Sequence, residues 1–172
     1  MLTLLLICGI INVEKRKGER KMSMVEHCIN GYGIEFDCRD GKNTTVNKIE
    51  KMLSETTKLK KEINEWFNDM DISNEEKTVD LYSEFEQDYR CGIPALIAFA
   101  ITEEFEKKIK IEFLRDDNGK IFIFYCTKNP WEMNDYEKGM TKEKLKNMFE
   151  KYYTMLYDKK PIVEDVSVYN IG

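Results

Sequence analysis

Histidine is nearly missing: His27 is the only one in 172 residues. General acid–base catalysis near neutrality draws on histidine more than on any other side chain, so that route is confined to one position. Cys28 follows it, and neighbours on a strand point to opposite faces, so the two do not converge on one site without a bulge. Together with Cys38 they make no recognisable zinc-ligand spacing. There is no GxxxxGK[ST], GxGxxG or GxSxG, so the usual markers of nucleotide cofactors and α/β-hydrolase chemistry are lacking. The five cysteines, Cys8, Cys28, Cys38, Cys91 and Cys126, include no CxxC. In a chain this large that pattern suggests reduced cytosolic thiols, not a disulfide scaffold. No apolar run approaches the roughly 20 residues of a membrane span. Positive charge is also in deficit: the net charge is -5. An acidic surface repels phosphate backbones, which disfavours direct nucleic-acid binding and suits a protein partner with a basic surface.

What is present begins with Leu2-Thr3-Leu4-Leu5-Leu6-Ile7-Cys8-Gly9-Ile10-Ile11, followed by a basic cluster. A signal peptide carries its basic region before the apolar part, so the order is reversed for export. One back-translation of Lys17-Gly18-Glu19-Arg20-Lys21-Met22 is AAA GGA GAG AGA AAG ATG, which contains AAGGAG, a bacterial ribosome-binding site. Residues 1–21 therefore read as a mis-assigned leader or a disordered N-terminal extension, with residues 22–172 as one domain long enough for its own core. Residues 1–21 hold five basic and two acidic side chains, which leaves the remainder at net -8.

Periodicity predicts an α+β domain with a mostly antiparallel sheet of about five strands, in the order β-β-α-α-α-β-β-α-β. Val25 to Phe36 reads as a hairpin turning at Asn30-Gly31. Val46, Ile49, Leu53, Thr56, Leu59, Ile63, Trp66 and Met70 predict one helix over 46–70, wet on its other side. Ser73-x-x-Glu76 has the form of a capping box for a second helix, with Val79, Tyr82, Phe85 and Tyr89 on its inner stripe. Pro94 opens a third helix, apolar all round through Ala95-Leu96-Ile97-Ala98-Phe99-Ala100-Ile101, and so a central buried one. Lys110 to Leu114 and Lys120 to Cys126 predict a hairpin turning at Asp116-Asp117-Asn118-Gly119. Thr141 caps a last helix carrying Leu145, Met148, Phe149, Tyr152 and Leu156, and Val163 to Tyr169 alternates as a final strand.

Two features stand out as recognition candidates. Asn129-Pro130-Trp131-Glu132-Met133-Asn134 places Trp131 in a turn, outside any periodic apolar stripe, and tryptophan is enriched at binding hot spots. The competing reading is a ring folded back to plug the core. The run Glu75, Glu76, Asp80, Glu84, Glu86 and Asp88 could present a phosphate-like acidic face to a basic groove, or simply solvate a helix. The partner-binding candidates are thus Trp131, Glu132, Glu76, Asp80 and Glu84, with no cofactor, no metal and no catalytic residue assigned. Aromatics on Lys120 to Cys126 could stack bases, but that mode needs a positive groove, and core packing accounts better for Phe122 and Phe124. An enzymatic alternative pairs Cys91, ahead of the third helix, with His27, since thiols at helix N-termini can be activated. A carboxylate metal site and a homo-oligomeric structural role through a sheet edge are further alternatives.

Arg115-Asp116-Asp117-Asn118-Gly119, Pro130-Trp131-Glu132-Met133, Glu137-Lys138, Lys151-Tyr152 and Asp165-Val166-Ser167-Val168-Tyr169-Asn170 resemble small proteins of Firmicutes and their phages that carry no assigned activity. The resemblance covers roughly the last 60 residues and transfers no catalytic residue. It implies a bacterial or phage cytoplasmic setting. With the acidity and the lack of catalytic markers, it leads to the expectation of a non-enzymatic protein-binding module, such as a phage or mobile-element inhibitor of a host defence factor of the anti-CRISPR kind.

Overall fold

The computed structural model describes residues 26–36, 43–85, 92–116 and 118–171. They form an α+β domain with a four-stranded antiparallel sheet. In chain order the elements are β1 (Glu26–Phe36), α1 (Val46–Leu53), α2 (Thr57–Asp69), α3 (Val79–Glu84), α4 (Ile93–Glu104), β2 (Ile111–Arg115), β3 (Ile121–Cys126), α5 (Asp135–Lys138), α6 (Lys142–Tyr157) and β4 (Glu164–Ile171). The sheet order is β2-β3-β1-β4.

The expected fifth strand is lost because Asn30-Gly31 does not turn. β1 runs straight through it as one central strand of 11 residues, with Gly31 to Phe36 on β3 and Glu26 to Gly33 on β4. Pairing on both edges satisfies the backbone that a hairpin would have satisfied by folding back. The glycines serve a different purpose. A Cβ on Gly31 would meet the Phe124 ring at 2.4 Å, and one on Gly33 would meet the Ile123 carbonyl oxygen at 2.0 Å. The need here is close approach to β3, not a left-handed turn. The turn expected between β2 and β3 does form. Gly119 takes φ 82°, and Asp116 Oδ1 accepts from Asn118 N and Lys120 N.

The helix expected over 46–70 is two. Thr56 is buried between them, and its hydroxyl donates to the Leu53 carbonyl. The first turn of α2 is capped from a distance: Glu103 of α4 accepts from Lys58 N at 2.7 Å and Leu59 N at 2.8 Å. A carboxylate there meets the positive end of the helix. The break rotates α2, so that Phe67 is buried, Trp66 only half-buried and Met70 exposed. The Ser73–Glu76 box also differs. Glu76 Oε2 accepts from Ser73 N and Oγ, closing a turn, and the helix itself starts later, with Thr78 as its cap. Tyr89 lies outside the described residues.

α4 is the apolar helix that the composition demands. Ile93 to Ala98, Ala100 and Ile101 are all buried, packed under α2, α3 and α6 and over β2 and β3. Ile34, Phe36, Ile111, Ile121, Ile123 and Tyr125 supply the sheet side of this core.

Gly33→Ala should lower stability by about 2 kcal/mol, the usual cost of forcing a methyl into a filled site, because the obstruction is backbone that cannot swing away. Urea unfolding measures it, and an unchanged midpoint would argue against this register.

Candidate functional site

The loop after β3 is the most individual feature of the surface. Thr127 N donates to the Asn30 carbonyl, the last bond between β3 and β1. Pro130 lacks an N–H and fits the turn that follows. Within that turn Glu132 Oε2 accepts from Asn129 N at 3.1 Å and from Asn129 Nδ2 at 3.0 Å, while Glu132 N donates to the Asn129 carbonyl. One side chain thus clasps the turn at both ends. Trp131, held at its crown, is 77% exposed. The plugging alternative is therefore incorrect: the ring packs into no core, because the turn's own hydrogen bonds aim it outward. Glu132 is exposed too, but its carboxylate also holds the turn.

The turn rests on α5, which begins with a capping box. Asn134 Oδ1 accepts from Glu137 N, and Glu137 Oε2 accepts from Asn134 N, both at 2.8 Å. The other carboxylate oxygen of Glu137 accepts from Lys128 Nζ at 2.6 Å, so one buried side chain joins the two ends of the 128–137 segment. Burial works to raise the Glu137 pKa, but the Lys128 ammonium and the Asn134 N–H outweigh it and hold the carboxyl below the ordinary glutamate range. The neighbouring Tyr125 hydroxyl is buried beside this carboxylate, and burial first, then the Glu137 charge, push its pKa up.

The same segment is tied to the C-terminal end of α4. Asn134 Nδ2 donates to the Lys108 carbonyl, Tyr136 meets Phe105 edge-on, and Lys108 Nζ lies 5.2 Å over the Tyr136 ring. Glu106 and Lys107 between them have left-handed backbone, φ 53° and 60°. Side chains resist that conformation at a cost of order 1 kcal/mol each, so the docking of α5 offsets local strain. The exposed result is a rim of Trp131, Glu132, Asp135 and Tyr136.

The acidic candidates lie elsewhere. Asp80 and Glu84 are one turn apart on α3 and exposed, and Glu76 is exposed in the turn before it. α3 meets the start of α4, where a Cβ on Gly92 would lie 3.4 Å from Ser83. The segment carrying Trp131 is tied through Asn134 and Tyr136 to the opposite end of that 12-residue helix, itself about 18 Å long. The five candidates thus form two sites, not one patch. Sequence reasoning missed Glu137 and Lys128, which position the turn. The signal was there: Asn134-x-x-Glu137 has the capping-box form just after the turn.

Phe122 and Phe124 are buried, as core packing requires. Among the described residues no three His, Cys, Asp or Glu side chains gather as metal ligands. Cys91 and the His27 side chain lie outside the described residues. No described helix is long and apolar enough to cross a membrane. No protein-family model, curated protein or solved structure matches the chain.

Glu137→Ala should cost about 1–3 kcal/mol, since it strands the Lys128 ammonium and opens the cap. Chemical denaturation reads the loss, and amide exchange over residues 128–138 should rise first. A depressed carboxyl pKa stabilises the fold above the ordinary glutamate value and ceases to do so as pH falls through the depressed one. The parent should therefore lose stability more steeply than Glu137→Ala as pH falls through and below the ordinary glutamate range. Parallel curves in that window would show that the pair contributes nothing.

Proposed function

We propose that this chain is a protein-binding module that engages its partner through the Trp131 turn. The observation that supports this most is an indole left 77% exposed at the crown of a turn clasped by Glu132 and anchored by buried Glu137. A ring of that size removes about 150–250 Å² from water when covered, and at about 25 cal/mol per Å² that is a gross gain of roughly 4–6 kcal/mol. The internal hydrogen bonds order the turn in advance, so little entropy remains to be lost on binding.

Charge adds a second, weaker point of attraction. Glu76, Asp80 and Glu84 face solvent at the far end of α4, and the whole chain carries net charge -5. They would steer a basic partner surface more than hold it. The finer reading within this proposal is an inhibitor from a phage or mobile element that occupies a host defence factor. Acidity and the likeness of the C-terminal part to small Firmicutes and phage proteins support it.

The test compares Trp131→Ala with the parent in affinity capture and then in titration against the purified partner. The variant should keep the parent's circular dichroism and melting temperature and lose at least about 30-fold in affinity, the measure of a hot spot. Reversing Glu76, Asp80 and Glu84 to Lys should slow association and flatten its salt dependence, with dissociation little changed. A folded Trp131→Ala that binds as tightly as the parent would remove the proposal.

A further inference from the structure

Whatever covers Trp131 must also accommodate Glu132. The two are chain neighbours, and the clasp on Asn129 fixes the carboxylate within the same turn. That clasp uses Oε2 alone on an exposed side chain, which leaves Oε1 for another donor. The basic side chains of the region are engaged elsewhere: Lys108 with Glu106, Lys128 with Glu137 and Lys138 with Asp135. Among the described residues, Glu132 has no ammonium beside it.

This restricts what can sit on the indole. An apolar pocket would bury the ring well, but it would take an unpaired carboxylate out of water too, and that penalty offsets the gain. A neutral polar surface leaves the charge unmet. A cation meets both demands: it is drawn to the π face of an indole, the best aromatic face for this contact, and it pairs with the carboxylate alongside. The same rim already holds one such contact within the chain, Lys108 Nζ over the Tyr136 ring. A ring lying flat on the protein surrenders one face, whereas Trp131, at 77% exposed, keeps both largely open. Of the two common cations, guanidinium fits better than ammonium. It is planar and stacks flat on a ring, its N–H groups point outward toward a carboxylate at the edge, and it is more weakly hydrated.

We propose that the partner of the Trp131 turn presents an arginine, its guanidinium stacked on the indole and donating to Glu132 Oε1. This rests on the reading of that turn as the contact surface and names what the turn recognises: an exposed arginine in a basic protein segment. The chain's net charge of -5 favours approach of such a segment. Asp135, fully exposed and in a loose surface pair with Lys138 at 3.2 Å, adds a second carboxylate to the rim.

A capped Gly-Arg-Gly peptide is the direct probe, titrated into the isotope-labelled chain beside its lysine and citrulline counterparts. The Trp131 indole N–H signal should move with the arginine peptide, with a dissociation constant of order 1–10 mM for a single side chain. It should move less with lysine and not with citrulline, which keeps the shape and loses the charge. The Trp66 signal should stay in place, because that ring packs against Phe67 and Phe85. Glu132→Gln keeps an oxygen to accept from Asn129 and removes the charge, so it should stay folded and weaken the arginine response about fivefold or more. A motionless Trp131 signal, equal responses to arginine and citrulline, or a folded Glu132→Gln that responds like the parent would each overturn the arginine assignment. None of these outcomes touches the protein-binding reading, which Trp131→Ala decides against the purified partner. In that assay Trp131→Leu separates the two ideas. A loss as severe as that of Trp131→Ala supports a cation on the π face. Near-parent binding by both Trp131→Leu and Glu132→Gln, with Trp131→Ala impaired, would keep the turn as the contact and remove the arginine.

Discussion

A helix with no wet side must be covered from every direction, and α4 is such a helix. Eight of its residues are buried, from Ile93 through Ile101. Each apolar side chain of that size gains about 1.5–3 kcal/mol when removed from water, so leaving any flank open would be costly. Sheet lies on one side of it and helices on the others. Its few polar groups sit in the last turn, and each is used to fix a neighbour. Thr102 Oγ1 accepts from the Ile111 N–H and starts β2, Glu103 caps α2, and Glu104 accepts from Tyr152 of α6 at 2.5 Å. Burial, and then the Glu104 charge, raise the Tyr152 pKa, so the phenol stays protonated and remains a donor.

The candidate site follows from that arrangement. The C-terminal end of α4 leads into a strained left-handed pair, and α5 docks against it through Asn134 and Tyr136. Lys128 and Glu137 then close the segment that carries Trp131. The indole is exposed because the Glu132–Asn129 hydrogen bonds hold the turn with its crown outward, not because the loop is loose. The acidic residues at the other end of α4 occupy a separate surface. Contact and electrostatic attraction are therefore divided between two places on the molecule.

The sequence was most readable where one local pattern dominated. An all-apolar run became the buried α4, Asp116 to Gly119 became the turn between β2 and β3, and Thr141 capped α6. It misled where a local signal competed with a distant partner. Asn30-Gly31 has the chemistry of a hairpin turn, but two flanking strands claimed its backbone and the Phe124 ring occupies the place of a Cβ on Gly31. Residues 46–70 have a continuous helical period, yet Glu103, more than forty residues away, caps a second helix start inside it. At the site, Trp131 was legible as a residue outside any stripe, whereas the Lys128–Glu137 pair that positions it joins residues nine apart across a turn and a helix start.

By itself the sequence determined the class of fold, the central helix and the presence of a tryptophan with no core stripe to join, because periodicity and turn chemistry act over a few residues. Tertiary structure alone decided the four-strand count, the division of the long helix, the outward aim of Trp131 and its separation from Glu76, Asp80 and Glu84. Those outcomes depend on which backbone groups and side chains meet across long stretches of chain, and no local pattern encodes such meetings.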